Sequence, residues 1–72
     1  MSRVKIELQE KVVNRIKEIC RSFNNDPGEL INVLHQTQHE FGYLPAEVQE
    51  VIASELNISV AKVYGVVTFY HF

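Results

Sequence analysis

The sequence contains a single cysteine, Cys20, and no tryptophan. One thiol excludes an internal disulfide, and it also excludes a four-thiolate zinc or iron–sulfur site built within this chain. A lone thiol is typical of proteins in a reducing compartment, so we expect a cytoplasmic location. No apolar run reaches the roughly 18–20 residues that a membrane-spanning helix needs, and direct membrane insertion is not expected.

Positive charge is scarce in the second part of the chain. Residues 1–23 carry six lysines and arginines against three glutamates, whereas residues 24–72 carry Lys62 against six acidic side chains. A basic first helix would therefore face an acidic remainder. This favours charge complementarity between helices of one domain, with a basic docking face as the alternative. The acidic remainder disfavours nucleic acid as a partner.

The length of 72 residues is enough for one domain, and the hydrophobic content of 46% is ordinary for a globular protein. A chain of this length buries only about 60–65% of the surface that its unfolded state exposes. Such small domains usually depend on disulfides, a metal or a partner for their stability. We therefore expect modest stability.

Alternating stop and start signals predict an all-α fold, a small bundle of three to four short helices. Loops are expected near residues 24–26, 42–44 and 57–59. The residues that indicate helix ends are Asn24, Asn25, Gly42 and Asn57, with a positive φ expected at Gly42. The residues that indicate helix starts are Asp26, Pro27 and Glu29 in a capping box, then Pro45, then Ser59.

Apolar residues recur at helical spacing in each predicted helix. The expected buried faces are Val12, Ile16, Ile19, Cys20 and Phe23; Leu30, Ile31, Leu34, Gln38 and Phe41; Val48, Val51, Ile52 and Leu56; and Val63, Val66, Val67 and Tyr70. Free cysteine behaves as a small buried hydrophobe, so we interpret Cys20 as a core residue and not as a reactive thiol. Val4, Ile6 and Leu8 alternate instead, which indicates that residues 1–9 are an extended lead-in to a bundle domain of residues 10–72.

The fourth predicted helix is unusual because residues 63–72 contain no lysine, arginine, aspartate or glutamate and are apolar on almost every face. A helix of this kind in a water-soluble protein must be buried or covered by a partner. If its valines fill the core, Tyr64, Phe69 and Phe72 point elsewhere, so we expect this helix to face a partner. Gly65 weakens a helix by up to about 1 kcal/mol, and it could instead allow close approach of another helix.

Candidate ligand residues are few. His35 and His39 lie one helical turn apart, and Glu40 and His71 could add metal ligands. Two histidines alone do not converge enough for a metal site, so we interpret His35 as a capping or packing residue and His39 as exposed. No hydrolase arrangement or glycine-rich phosphate loop is present. The sequence predicts no catalytic, metal or cofactor-binding residue in this chain.

Two segments carry a resemblance to a known family. Leu30–Pro45 ends in Phe-Gly-Tyr-Leu-Pro, and Ile58–Tyr70 contains Val-Tyr-Gly-Val-Val-Thr-Phe-Tyr. Together they resemble the helical N-terminal region of the small iron–sulfur subunit of complex I. The same region occurs in matching subunits of NADP-reducing hydrogenases, bifurcating hydrogenases and NAD-dependent formate dehydrogenases. The motif residues with an implied structural or interface role are Phe41, Gly42, Tyr43, Leu44, Pro45, Val63, Tyr64, Gly65, Val66, Thr68, Phe69 and Tyr70.

In that family the helical region precedes a thioredoxin-like domain, whose four cysteines bind a [2Fe-2S] cluster. The subunit packs against the flavin-bearing, NAD(P)H-oxidising subunit. The resemblance therefore implies a partner-docking domain of an electron-transfer subunit from an NADH dehydrogenase or NAD(P)-linked hydrogenase, non-catalytic by itself. The thioredoxin-like domain and its cluster are expected after residue 72, in the full-length subunit.

Two alternatives stay open. Ile52–Tyr64 has the order helix, short turn, helix, which is typical of a helix-turn-helix nucleic-acid-binding domain. A recognition helix needs arginine, lysine, asparagine or glutamine to reach bases and phosphates, and this one offers only Lys62. The other alternative is a free-standing protein-interaction module, which differs from the first interpretation only in whether a cluster domain follows in the gene.

Overall fold

The structure is a computed structural model that describes the backbone of residues 3–70 and the side chains of residues 10–70. It contains four α-helices: α1 (Arg3–Ser22), α2 (Leu30–Phe41), α3 (Ala46–Leu56) and α4 (Val60–Tyr70). A 3₁₀ turn, Pro27–Glu29, precedes α2. No β-strand occurs within residues 3–70, so the all-α bundle expected from the sequence is confirmed.

The first helix begins at Arg3, well before the expected position. The extended conformation expected for the lead-in is therefore wrong for residues 3–9. In the sequence, Val4, Leu8 and Val12 recur every four residues, which is the spacing of one helical face. The alternation of Val4, Ile6 and Leu8 is equally typical of a strand, so the sequence pattern alone does not distinguish the two. The division of the chain at residue 10 stays a prediction. Twenty residues make a helix about 30 Å long.

Asparagines end both α1 and α3 in the left-handed conformation, with φ of 62° at Asn24 and 58° at Asn57. After α3 the Ile58 amide donates to the Ala53 carbonyl at 3.0 Å, which is the 6→1 hydrogen bond of a Schellman motif. Asparagine tolerates this backbone region better than most residues, which explains why the chain can turn at these positions. The predicted stops of both helices are confirmed.

The loop after α1 is tied to α3 by Asn25. Its backbone amide donates to the Cys20 carbonyl at 2.9 Å, and its side-chain amide donates to the Glu55 carbonyl at 3.3 Å. One residue thus closes the end of α1 and joins it to the last turn of α3.

The start of α2 differs in detail from the capping box expected. Asp26 is the predicted cap, and its carboxylate accepts from the Gly28 amide at 2.9 Å. Glu29 does not bond back to the Asp26 amide, because that amide already donates to the Phe23 carbonyl at 3.2 Å. The Glu29 carboxylate instead accepts from the Asn32 side chain at 2.6 Å.

The starts of α3 and α4 follow the sequence signals closely. Pro45 lies one residue before α3 and its carbonyl accepts the Gln49 amide at 3.1 Å. Ser59 caps α4 as expected, since its hydroxyl accepts from the Lys62 amide at 3.1 Å. A hydroxyl in this position satisfies one of the amides that a helix N-terminus leaves unpaired.

All four helices contribute to one core. α1 packs mainly against α3, α4 packs mainly against α3, and α2 packs against α1. The buried hydrophobic residues are Ile16, Ile19, Cys20, Leu30, Val33, Leu34, Val48, Ile52, Ala53, Leu56 and Val63.

Two expected core positions are wrong, and four buried residues were not expected: Val33, Thr37, Gln49 and Ala53. Ile31 is 37% exposed and Tyr70 is 52% exposed, whereas Val33 and Thr37 are fully buried. The Thr37 hydroxyl donates to the Val33 carbonyl at 2.7 Å, which removes most of the cost of burying a polar group. The buried stripe of α2 is therefore rotated toward Thr37 and away from Ile31.

An ion pair joins α1 to the end of α2. Arg15 donates through Nε to one Glu40 oxygen at 2.8 Å and through Nη2 to the other. The Gln36 side chain also donates to Glu40, at 2.9 Å. Arg15 and then Gln36 lower the pKa of Glu40 to about 2, and the same contact raises the pKa of Arg15. The charge complementarity expected within the domain is present at this pair.

Replacement of Gly42 by valine should lower the free energy of unfolding by more than about 1 kcal/mol. Gly42 ends α2 with φ of 86°, and its amide donates to the Gln38 carbonyl at 2.8 Å. A β-branched residue is strained there. Urea denaturation measures the change, and Gly42→Asn is the matched control because asparagine accepts positive φ. Equal denaturation midpoints for the valine variant and the original chain would contradict this account of the turn.

Replacement of Glu40 by glutamine should remove a pH-dependent part of the stability. Because the pKa of Glu40 lies near 2 instead of its usual 4.5, its contribution is complete above about pH 4.5 and is lost as the pH falls through about 2. Urea midpoints of the original chain and Glu40→Gln should therefore differ more at pH 6 than at pH 2. The pair is exposed to solvent, so a small difference is expected. A gap that does not change between these pH values would exclude the linkage.

Candidate docking surface

The first half of the family motif forms the turn between α2 and α3. Phe41, Leu44 and Pro45 are half-buried, while Tyr43 is 66% exposed. The side chain of Gln49 is buried, and its Nε2 donates to the Leu44 carbonyl at 2.8 Å. This bond holds the turn so that Tyr43 projects outward. Gln49 was not expected from the sequence, since a glutamine on a helix gives no signal of burial.

The second half of the motif forms α4. Val63 is fully buried and Val67 is half-buried against the core. In contrast, Tyr64 is 60% exposed and Phe69 is 77% exposed. The rings of Phe69 and Tyr70 meet edge to face, with centroids 5.5 Å apart and an interplanar angle of 83°. The helix therefore presents aromatic rings to solvent.

We call Tyr64, Gly65, Thr68, Phe69 and Tyr70 the α4 outer surface. A Cβ atom added at Gly65 would meet nothing within 4 Å, so packing inside the bundle does not require glycine there. The Thr68 hydroxyl donates to the carbonyls of Tyr64 and Gly65 at 3.1 and 3.0 Å, and its polarity is satisfied within the helix. The α4 outer surface is thus uncharged and largely apolar, and it has no side chain at Gly65.

The two motif halves meet at the core but not at the surface. Phe41 and Leu44 from the turn and Val66 and Val67 from α4 all pack against the same buried cluster. Tyr43 lines a groove between α1 and α3, to which α4 contributes no residue. The assignment of the motif residues to an interface stays a prediction.

Cys20 is fully buried, as expected for a core residue. Burial is the main cause that raises the pKa of its thiol to about 11, and the nearby charge of Glu55 adds to it. At neutral pH the side chain is a protonated thiol, which is neither a nucleophile nor a metal ligand. A [2Fe-2S] cluster needs four protein ligands, so the residues of this chain do not fit one.

The histidine pair does not form a metal site in the described part of the chain. His35 and His39 are both exposed on α2, and the Glu40 carboxylate is bonded by Arg15. Within residues 10–70, whose side chains the structure describes, no three histidine, cysteine, aspartate or glutamate side chains are grouped to hold an ion. His71, the other ligand considered, lies outside the described residues.

Comparison with known proteins identifies the family. The family profile of the thioredoxin-like [2Fe-2S] ferredoxins matches residues 16–72. The chain belongs to this family. The match begins inside α1 and includes both motif segments, so the resemblance drawn from Phe41–Pro45 and Val63–Tyr70 is confirmed. None of the solved structures matches the chain.

Three relatives in this family are longer proteins. The chain is 40% identical over 65 residues to NADP-reducing hydrogenase subunit HndA of Solidesulfovibrio fructosivorans, covering 90% of the chain and 38% of that protein. It is 29% identical over 70 residues to a subunit of the NADH-quinone oxidoreductase of Aquifex aeolicus, covering 97% and 44%. The alpha subunit of the NAD-reducing hydrogenase HoxS of Cupriavidus necator is 32% identical over 59 residues, covering 82% and 10%. The chain thus spans less than half of each relative.

A membrane-spanning helix needs both sufficient length and an apolar surface. Within residues 3–70, no helix combines the length and the apolar character required to cross a bilayer.

The purified chain should fail to assemble a [2Fe-2S] cluster, because its one thiol is buried and protonated. Reconstitution with iron and sulfide, followed by desalting and a visible absorption spectrum, checks this. Cys20→Ser is the control and should give the same featureless spectrum. A stoichiometric cluster in the original chain that is absent from Cys20→Ser would show that the helix opens to expose the thiol.

Proposed function

We propose that this chain is the N-terminal helical, partner-docking domain of a [2Fe-2S] electron-transfer subunit of an NADH dehydrogenase or NAD(P)-linked hydrogenase. It is non-catalytic by itself. In this proposal the chain contributes a docking surface, and the cluster is carried by a thioredoxin-like domain that follows it in the full-length subunit.

The observation that carries the proposal is the α4 outer surface. Tyr64, Phe69 and Tyr70 are each more than half exposed on one short helix. Burying one such aromatic side chain is worth about 1.5–3 kcal/mol, so a partner that covers all three gains a large apolar contribution. Large exposed apolar patches are typical of protein–protein interaction sites. The tyrosine hydroxyls can bond at the rim of an interface.

Gly65 supports the same interpretation. Glycine inside a helix costs up to about 1 kcal/mol relative to alanine. The space around Gly65 is open, so the bundle itself gains nothing from the missing side chain. A partner backbone or side chain could approach closely there, between the rings of Tyr64 and Phe69.

Family membership supports the choice of partner. HndA and the Aquifex relative are named as subunits of an NADP-reducing hydrogenase and an NADH-quinone oxidoreductase, and each is more than twice as long as the aligned segment. We infer that the following thioredoxin-like domain and the flavin-bearing, NAD(P)H-oxidising subunit are the partners that cover α4. A cytoplasmic location stays part of this proposal.

Nucleic-acid binding is the weaker alternative. α3 and α4 are two helices joined by a short turn, as the helix-turn-helix interpretation requires. However, the exposed side of α4 carries aromatic residues such as Tyr64 and Phe69, and Lys62 is the one charged residue of this helix. The helix therefore offers a single cation to the phosphates. Affinity for DNA comes largely from cations that neutralise phosphates. A free-standing interaction module would use the same α4 outer surface, and the codons after Phe72 distinguish it from the domain proposed.

Amide hydrogen exchange tests the docking role. It should be measured on the isolated chain and on the full-length subunit with its flavin-bearing partner. Exposed apolar surface and chain ends favour association and fraying, so the amides of residues 66–70 should exchange at least about tenfold faster in the isolated chain. Equal protection in both, together with a monomeric isolated chain at high concentration, would exclude α4 as the docking element.

A pair of serine substitutions provides the control. Phe69→Ser should reduce the protection that the full-length assembly adds to α4. Ile31→Ser changes another exposed apolar side chain, on α2, and should leave that protection unchanged. If both variants lose it equally, general destabilisation and not docking explains the result.

A further inference from the structure

A second surface of the molecule is an open groove between α1 and α3, with a volume of about 700 Å³. Phe41 and Tyr43 stand at the end of the groove where α2 meets its turn. α4 contributes nothing to it, so the groove is separate from the α4 outer surface.

The floor of the groove is apolar. Val12 and Val13 from α1 and Val51 from α3 are half-buried, and they line the groove together with the buried Ile16 and Val48. Of these valines, Val12 and Val51 have contacts to the core on one side and face the groove on the other. Covering the rest of their surface removes apolar area from water and favours an apolar occupant.

The rim of the groove is acidic. Glu47, Glu50 and Glu55 line it from α3, and Lys17 lines it from α1. Glu47 and Glu50 are exposed and are three residues apart, so they lie on the same side of the helix. Counted over the described lining residues, three glutamates and one lysine, an occupant therefore meets apolar side chains below and an excess of negative charge above. Electrostatic complementarity selects a positively charged partner.

We propose that this groove docks a basic amphipathic helix of a partner protein. Its two walls are helices, and a third helix laid between them would place apolar residues on the valine floor and lysines or arginines beside the α3 carboxylates. This surface adds a second docking mode, different in chemistry from the α4 outer surface and independent of whether α4 docks.

A second copy of this chain does not fit the groove well. Tyr64 and Phe69 on α4 are among the most exposed apolar side chains outside the groove. However, α4 carries one basic residue, Lys62, whereas the acidic groove favours several. The basic helix is α1, and its exposed positions from residue 10 onward are polar or charged, as at Lys11 and Arg21. Among the described side chains, residues 10–22 of α1 and 60–70 of α4, neither helix combines an exposed apolar stripe with several flanking basic residues, which is the combination that the groove selects.

Titration of the isotope-labelled chain with two synthetic peptides tests the proposal. Both peptides are 14-residue helices with leucine in the same amphipathic pattern; one carries lysine at every polar position and the other carries glutamate. The lysine peptide should bind 1:1 and shift the amide resonances of Val12, Glu50 and Val51. The glutamate peptide should bind at least about tenfold more weakly, and salt should weaken the binding of the lysine peptide.

Two charge reversals provide matched variants. Glu50→Lys lies on the groove rim, and it should weaken the binding of the lysine peptide about fivefold or more, the scale of an exposed ion pair. Glu29→Lys makes the same change at the opposite end of α2 from Phe41 and should leave the affinity unchanged. Circular dichroism confirms that both variants are folded.

Three results would overturn the proposal. They are equal affinity for the two peptides, amide shifts confined to α4, and self-association of the chain that Glu50→Lys abolishes while neither peptide binds. The last result would assign the groove to a second copy. A hydrogen-exchange result that excludes docking at α4 would not change any of these peptide-binding measurements. The proposal for the groove and the proposal for α4 can therefore be tested independently.

Discussion

The packing of α1 against α3 is the interaction on which the rest of the bundle depends. Ile16 and Ile19 from α1 and Ile52 and Leu56 from α3 are almost completely buried. Burying each such side chain contributes about 1.5–3 kcal/mol, whereas a whole domain is stable by only about 5–15 kcal/mol. α3 then holds α4 through its other contacts, and α1 holds α2 through the core and the Arg15–Glu40 pair. Loosening α1 from α3 would therefore leave mainly the smaller contact between α2 and α4 to join the pair α1–α2 to the pair α3–α4.

Among the described residues, α4 has the fewest fully buried side chains of the four helices. Among its described residues Val63 alone is fully buried, with Val66 and Val67 half-buried beside it. A segment with few buried contacts opens at low cost in free energy. The rings of Tyr64 and Phe69 lie on its exposed side. Covering that side would both complete the burial of the helix and fix its position, so the docking that we propose for α4 would also stabilise it locally.

The two docking surfaces that we propose differ in their chemistry. The α4 outer surface contains no charged side chain, and its contribution to binding would change little with ionic strength. The groove between α1 and α3 is lined by three glutamates and one lysine above a valine floor. Interactions between such exposed charges are screened by salt. The two surfaces can therefore be distinguished by ionic strength alone, whichever partners they bind.

The sequence by itself determined the helical fold, the ends of α1, α2 and α3 and the family, but it did not predict that α1 begins as early as Arg3. Asparagine and glycine at positions 24, 42 and 57 permit the left-handed backbone that ends three helices, and this preference is local. The motif segments Phe41–Pro45 and Val63–Tyr70 were enough to indicate the family that the comparisons then showed.

Only the tertiary structure decided which face of each helix is buried and which side chains meet. The choice of Thr37 over Ile31 for the core, and the exposure of Tyr70, depend on where neighbouring helices lie. The Gln49 bond to the turn and the groove of α1 and α3 also combine residues from separate parts of the chain. Periodicity describes one helix at a time, whereas burial is set by the distances between helices, and those distances exist only after the chain has folded.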